Sequence, residues 1–133
     1  MSPATVGIVL VSHSAELARG AAHLAGQVSG GTVTIIAAGG TDDGDLGTSA
    51  AKVSRGLSQA DSGAGVVVLP DLGSAVLTVR ALLGDPGDLP TPVELADAPF
   101  VEGVVAATVA AAAGGNVAAV VTAAEEARHA RKL

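Results

Sequence analysis

Three continuous apolar runs constrain this chain most: Val6–Val11 (VGIVLV), Val33–Ala38 (VTIIAA) and Val66–Leu69 (VVVL). They are rich in β-branched side chains and do not alternate apolar with polar. A strand that is apolar at every position is buried on both faces. That is the situation in a parallel sheet covered by helices on both sides, not in a half-exposed antiparallel sheet. A shorter fourth candidate, Val93–Leu95, is bounded by Pro92 and Asp97.

Helical patterns fill the intervals. Leu17, Ala21, Leu24 and Val28 form one apolar stripe at helical spacing, with Ser12 and Ser14 available as N-caps and Gly30-Gly31 as the stop. Ala50, Val53 and Leu57 repeat the pattern after Gly47-Thr48-Ser49. Val76, Val79 and Leu83 repeat it after Gly73-Ser74 and close at Gly84-Asp85-Pro86. Two Ala-rich segments, Val101–Ala113 and Val117–Ala130, are separated by Gly114-Gly115-Asn116 and read as two more helices. The order β-α-β-α-β-α-β-α-α predicts one three-layer α/β/α domain over residues 1–133, with a parallel sheet of about four strands and right-handed crossovers.

Composition removes several functions. There is no Cys, which excludes disulfide scaffolds, zinc ribbons and thiol catalysis. One aromatic residue, Phe100, cannot make a stacking platform for bases or sugars. A net charge of −6 argues against nucleic acid and against a basic membrane patch. Three His and few clustered carboxylates predict no metal site. Of the 65 hydrophobic residues, 28 are Ala and 19 are Val; with only 15% charged residues, the surface is expected to be partly covered in a homo-oligomer. Gly103–Ala124 carries no charge over 22 residues, but its Gly-Gly-Asn interruption predicts two closely packed helices rather than a membrane span. The start, Met1-Ser2-Pro3-Ala4-Thr5, lacks the positive region of a signal peptide, so a cytoplasmic location is expected.

In an open parallel sheet, ligands bind beyond the carboxyl ends of the strands. The segments following the four strands are Ser12-His13-Ser14, Gly39-Gly40-Thr41-Asp42-Asp43-Gly44 with Gly47-Thr48-Ser49, Pro70-Asp71-Leu72-Gly73-Ser74, and Ala96-Asp97-Ala98-Pro99. Small residues at helix starts expose backbone N–H groups to an anion. Only the first segment holds a histidine, and a neutral imidazole is a competent nucleophile near pH 7. Asp71, ending a neighbouring strand, is placed to fix the tautomer of His13. The pattern points to a phosphoryl acceptor. Taken one at a time, these residues also have plain readings: His13 as a packed residue, Asp42-Asp43 as a solvated turn, the Gly-Thr-Ser and Gly-Ser steps as ordinary helix starts. His23 and His129 read as surface residues. The phosphate loop, the dinucleotide fingerprint and the hydrolase nucleophile elbow are all missing from the sequence.

Five strings in order carry a resemblance: VSHS at Val11–Ser14, AAGG at Ala37–Gly40, LGTS at Leu46–Ser49, DLGSA at Asp71–Ala75 and DAPFVEG at Asp97–Gly103. Together they resemble the phosphotransferase subunits of phosphoenolpyruvate-dependent dihydroxyacetone kinases, whose domain is of the mannose-type IIA family of the sugar phosphotransferase system. The resemblance implies a sheet of order 2-1-3-4, a homodimer, and a phosphoryl group carried on His13. It implies a histidine phosphocarrier protein as donor and ADP on a nucleotide-binding kinase subunit as acceptor. Mg-ADP or ATP would then stay with that partner, leaving this chain without a cofactor. Asp71 would orient the imidazole, and Gly39, Gly40, Gly47, Thr48, Ser49, Gly73 and Ser74 would bind phosphate. Mannose-class permease domains carry a D-[ST]-x-G-G-S-P segment after the third strand. Asp71-Leu72-Gly73-Ser74-Ala75 has one Gly and no Pro, which favours the kinase branch over a permease IIA subunit. Some relatives carry further carrier domains, so a chain ending at Leu133 is expected to receive phosphate in trans. A receiver domain phosphorylated on Asp71 is the more distant alternative; it would keep an acidic pair after the first strand, where this chain has His13.

Overall fold

The computed structural model describes residues 4–133; Met1–Pro3, on which the reading of the amino terminus partly rests, lie outside the described residues. The elements follow the expected order: β1 (Gly7–Ser12), α1 (Ala15–Ser29), β2 (Ile35–Gly39), α2 (Ala50–Ala60), β3 (Val66–Pro70), α3 (Gly73–Gly84), β4 (Val93–Leu95), α4 (Phe100–Ala112) and α5 (Val117–Glu126). All strand pairs are parallel, in the order β2-β1-β3-β4.

The continuous apolar runs are divided between two cores. From β1, Ile8 and Leu10 face α1, α4 and α5, joined by Val67 and Leu69 of β3. Val9 and Val11 face α2 and α3, joined by Val66 and Val68. A residue that alternated to polar would have entered one of these cores, which is why the runs have no period of two.

The stripe expected on α1 is corrected by the structure. Leu17, Leu24 and Val28 are exposed, and the buried face is Ala18, Ala21 and Ala25. The reason is close approach. A Cβ on Gly39 would lie 2.5 Å from the Ser14 carbonyl oxygen and 2.9 Å from the Ala18 Cβ. The end of β2 therefore touches the first turn of α1 so closely that only a side chain as small as that of Ala18 fits beneath it.

The last helix is shorter than the sequence pattern implied. It ends at Glu126 and tightens into a 3-10 turn at Ala127–His129. Asn116 caps its start by accepting from Ala119 N at 2.9 Å, so the Gly-Gly-Asn segment breaks the apolar stretch as expected. Among the described residues, no helix is long and apolar enough to cross a membrane.

Register matters most for function. Ser12 is level with Gly39 of β2, and Val11 with Pro70 of β3. The residues following β1 and β3, His13 and Asp71, therefore emerge side by side at one edge of the sheet.

Candidate functional site

Asp71 is the hub of this edge. Its Oδ2 accepts from Ser12 Oγ at 2.7 Å and from His13 N at 3.1 Å. Its Oδ1 accepts from Leu72 N at 2.7 Å and faces His13 Nδ1 at 3.2 Å. Burial opposes ionisation of this carboxyl. The hydrogen bonds from Ser12, from the His13 ring and backbone, and from Leu72 N outweigh that penalty and hold it below its ordinary range.

An ionised Asp71 fixes the histidine. Facing a carboxylate, Nδ1 is the ring nitrogen placed to carry the proton, and in that neutral tautomer Nε2 keeps its lone pair. Nε2 points toward Ser74 Oγ in the first turn of α3. The main chain of His13 is clamped as well, since Gly47 N donates to its carbonyl at 2.9 Å. Ser14 N donates to Ser12 Oγ at 3.0 Å, and Ser14 Oγ caps α1 through Leu17 N at 3.1 Å. The imidazole remains partly open, with its side chain 26% exposed against 8% for Asp71. His23 and His129 are exposed, as expected.

The start of α3 stands beside that open nitrogen. Its N-cap, Leu72, supplies no side-chain hydrogen bond, whereas α1, α2 and α5 are capped by Ser14, Ser49 and Asn116. A Cβ at Gly73 would meet nothing within 4 Å. An uncapped first turn with open space before it offers backbone N–H groups and the positive end of the helix dipole. At the end of β2, where Thr48 bridges to Gly40, the Thr48 Oγ1 is buried and has no hydrogen-bond partner. A buried hydroxyl without a partner is costly unless something else supplies one. A cavity of about 430 Å³, lined by Asp71, Leu72, Gly73 and Arg80 and by Leu95–Ala98, opens on the β4 side.

The other predicted phosphate residues have their groups committed inside the protein. Gly39 is buried against α1. Gly40 has φ of +75° and donates its N–H to Ser12 O at 3.1 Å. The N–H of Gly47 is taken by His13 O, as given above. Ser49 Oγ accepts from Lys52 N at 3.1 Å and donates to Asp42 Oδ1 at 2.7 Å. These four hold the loops in place, whereas the Thr48 hydroxyl is without a partner and the Ser74 hydroxyl faces His13 Nε2.

Two residues of the site escaped the sequence reading. Ser12, read only as a helix cap, is fully buried and is the partner that, with His13, anchors Asp71. A polar residue ending a wholly buried strand had to find such a partner, which was a usable signal. Lys52 Nζ donates to Gly39 O at 3.1 Å and closes the end of β2. Nothing in the sequence pairs those two positions. Among the described residues, no three His, Asp or Glu side chains gather where they could hold a metal ion.

Comparison with known proteins covers most of the chain. The family model EIIA-man, described as the fructose IIA component of the phosphotransferase system, matches residues 7–121. A relative in Listeria innocua, the phosphoryl donor subunit DhaM of PEP-dependent dihydroxyacetone kinase 2, is 35% identical over 105 residues, covering 78% of this chain and 84% of that one. DhaM subunits in Providencia stuartii and Escherichia coli are 37% and 38% identical, but the chain spans only 28% and 23% of their lengths. Among solved structures, the protein EF1359, of unknown function, superposes with a TM-score of 0.78 at 30% identity, covering 92% of this chain and 94% of that one.

Proposed function

The chain belongs to the EIIA-man family, among the phosphoryl donor subunits of PEP-dependent dihydroxyacetone kinases, and we propose on that basis that it carries a phosphoryl group on His13 Nε2. In this reading the donor is the phosphorylated histidine phosphocarrier protein. The acceptor is ADP held with Mg²⁺ on the nucleotide-binding kinase subunit, in the cytoplasm, with this chain working as a homodimer and holding no cofactor of its own.

The observation that carries the reading is the Asp71–His13 Nδ1 contact at 3.2 Å, which leaves Nε2 as the free base facing the uncapped start of α3. In the first step the N–P bond of the donor breaks as the Nε2–P bond forms, and the electron pair returns to the donor's imidazole. Positive charge develops on the His13 ring, where the Asp71 carboxylate offsets it. The three phosphoryl oxygens are met by the N–H groups of Gly73 and Ser74 and by the hydroxyls of Ser74 and Thr48. In the second step the Nε2–P bond breaks as a β-phosphate oxygen of ADP takes the phosphorus. Both steps depend on positioning and charge stabilisation rather than on proton transfer.

The test is labelling from phosphoenolpyruvate through the upstream carriers. The label should withstand alkali, be lost in acid and vanish in His13→Ala. An alkali-labile label, or one persisting in His13→Ala, refutes the reading; the first would indicate an aspartyl phosphate instead.

A further inference from the structure

The outer edge of the sheet carries a concentration of positive charge that the His13 site does not use. Among the described residues, β2 pairs with β1 alone and leaves its other side open. Ile8 N donates to Thr34 O at 3.0 Å and Gly40 N to Ser12 O at 3.1 Å, so in the parallel ladder Ile36 and Ala38 turn their peptide groups toward β1. The N–H of Ala37, between them, points to the open side. A groove of about 240 Å³ lies there, lined from α1, β2 and α2. Arg19 stands on its α1 wall. Lys52, Arg55 and Gln59 stand on its α2 wall, where spacings of three and four put them on one helix face. Gly56, on that same face, lets α2 lie close to the strand: a Cβ there would be 3.2 Å from Ile36 Cγ2. Three of the chain's seven Lys and Arg residues thus share one groove, in a chain of net charge −6. Among the described residues no carboxylate lines it. Glu16, Asp42, Asp43 and Asp45 border Arg19 and Lys52 around a separate cavity, yet Arg19, Lys52 and Arg55 are in no ion pair.

We propose that this groove binds the phosphate group of a small phosphorylated molecule, at a site separate from His13. The proposal does not rest on the reading of His13 as phosphoryl acceptor. The groove is rich in donors: two guanidinium forks, the Gln59 amide, the Ala37 N–H and the Lys52 ammonium. Lys52 Nζ gives one of its three donors to Gly39 O at 3.1 Å, which holds the ammonium at the end of β2 with two donors left. Planar guanidinium forks match the oxygens of a phosphate bidentately, and three cations suit a dianion. A single carboxylate would leave most of that charge unmet. Size and lining limit the rest of the ligand. No aromatic side chain borders the groove, so it offers no stacking surface for a base, and its volume admits a body of only a few carbons. Cations beside an edge strand also deter pairing with another chain. Deterrence requires no selectivity among anions, whereas a phosphate site does.

The test is an NMR titration of the isotope-labelled protein with inorganic phosphate, β-glycerophosphate and acetate, read at backbone amides and at arginine Nε. The two phosphate probes should give saturable shifts at the Ala37 N–H and at Nε of Arg19 and Arg55. Affinity should fall by about tenfold or more in Arg55→Gln, and saturation should vanish when Arg19→Gln is added. Both side chains are exposed, so both variants should keep the wild-type urea midpoint. Arg131→Gln, near the carboxyl end of the chain, should bind as wild type does. Saturable binding of either phosphate probe supports the site, and the tighter of the two tells an esterified ligand from the free ion. Shifts that stay linear with concentration, an affinity unchanged in the double variant, or acetate bound as tightly as phosphate would overturn it. Shifts confined to Gly73 and Ser74 would overturn it as well, because the anion would then be taken beside His13 alone.

Discussion

Replacing Asp71 by Asn keeps the shape of the side chain and removes its charge, and the hydrogen bonds around it determine the outcome. Each carboxylate oxygen takes two donors: Ser12 Oγ and His13 N on one, Leu72 N and His13 Nδ1 on the other. An amide must turn its NH₂ toward one pair. Either orientation sets that NH₂ against a backbone N–H that cannot rotate away. Loss of one fixed, charge-assisted bond and weakening of the others should destabilise the fold by roughly 2–4 kcal/mol. If the NH₂ takes the Oδ1 side, the histidine is also driven to the other tautomer, with its proton on Nε2. If it takes the Oδ2 side, the ring keeps a neutral partner where it had a charged one. One charged hydrogen bond is worth about 1.5–3 kcal/mol, so phosphorylation of His13 should slow by about 10–100-fold. Rapid-quench labelling by the phosphorylated carrier measures the rate, and urea unfolding checks that the variant is folded under assay conditions. A rate within about twofold of wild type would refute the orienting role. The same carboxyl fixes a pH signature. Its pKa is lowered by the fold from the usual value of 3.8, so the unfolded chain binds its proton first as pH falls. Its stabilisation is complete above that value and is lost as pH drops through the lower, folded value. Wild type should thus lose stability below about pH 4 more steeply than Asp71→Asn does, as read from urea midpoints across the acid range.

Two further substitutions separate building from chemistry. In Thr48→Val a buried hydroxyl without a partner is replaced by a methyl group of the same shape, so stability should stay level or rise by up to about 1 kcal/mol while labelling of His13 slows by about tenfold; equal labelling rates would show that Thr48 does not meet the phosphoryl group. In Gly39→Ala the new Cβ would sit 2.5 Å from a backbone oxygen at the start of α1, so α1 must shift and stability should fall by about 1–3 kcal/mol or more, and an unchanged unfolding midpoint would contradict the close approach of β2 to that helix.

The parts of this protein legible in the sequence are those set by periodicity and by local chemistry. The continuous runs announced a doubly covered parallel sheet, and β4 was found at Val93–Leu95 by its flanking residues. Gly30, in left-handed backbone at φ of +76°, was readable as the stop of α1 because only glycine takes that conformation readily. The stripe on α1 misled because leucine is more apolar than alanine, and in most helices the larger side chains go inward. Here the spacing between β2 and α1 left no room for them. That spacing is set by Gly39, which meets Ser14 and Ala18 only in the fold.

The site was legible in part for the same reason. His13, Asp71 and the start of α3 follow strands, so the rule that ligands gather at the carboxyl ends of a parallel sheet was enough to nominate them. The division of labour among the loop residues was not legible, because it depends on which N–H and hydroxyl groups the fold has already used. Gly47 and Ser49 flank Thr48 in sequence, yet both are engaged within the chain while the Thr48 hydroxyl is left without a partner.

That division ties reactivity to folding. The groups that hold Asp71 ionised, Ser12 Oγ and the N–H groups of His13 and Leu72, are the same ones that join β1 to the start of α3. The carboxylate cannot lose its charge without loosening that junction, and the junction cannot loosen without releasing the proton on Nδ1 from its partner. A substitution that weakens the junction while leaving His13 and Asp71 in place, such as Ser12→Ala, should therefore lower stability at neutral pH, make its decline in acid shallower, and slow labelling together. A loss of one without the other would show that the histidine is held by something besides this junction.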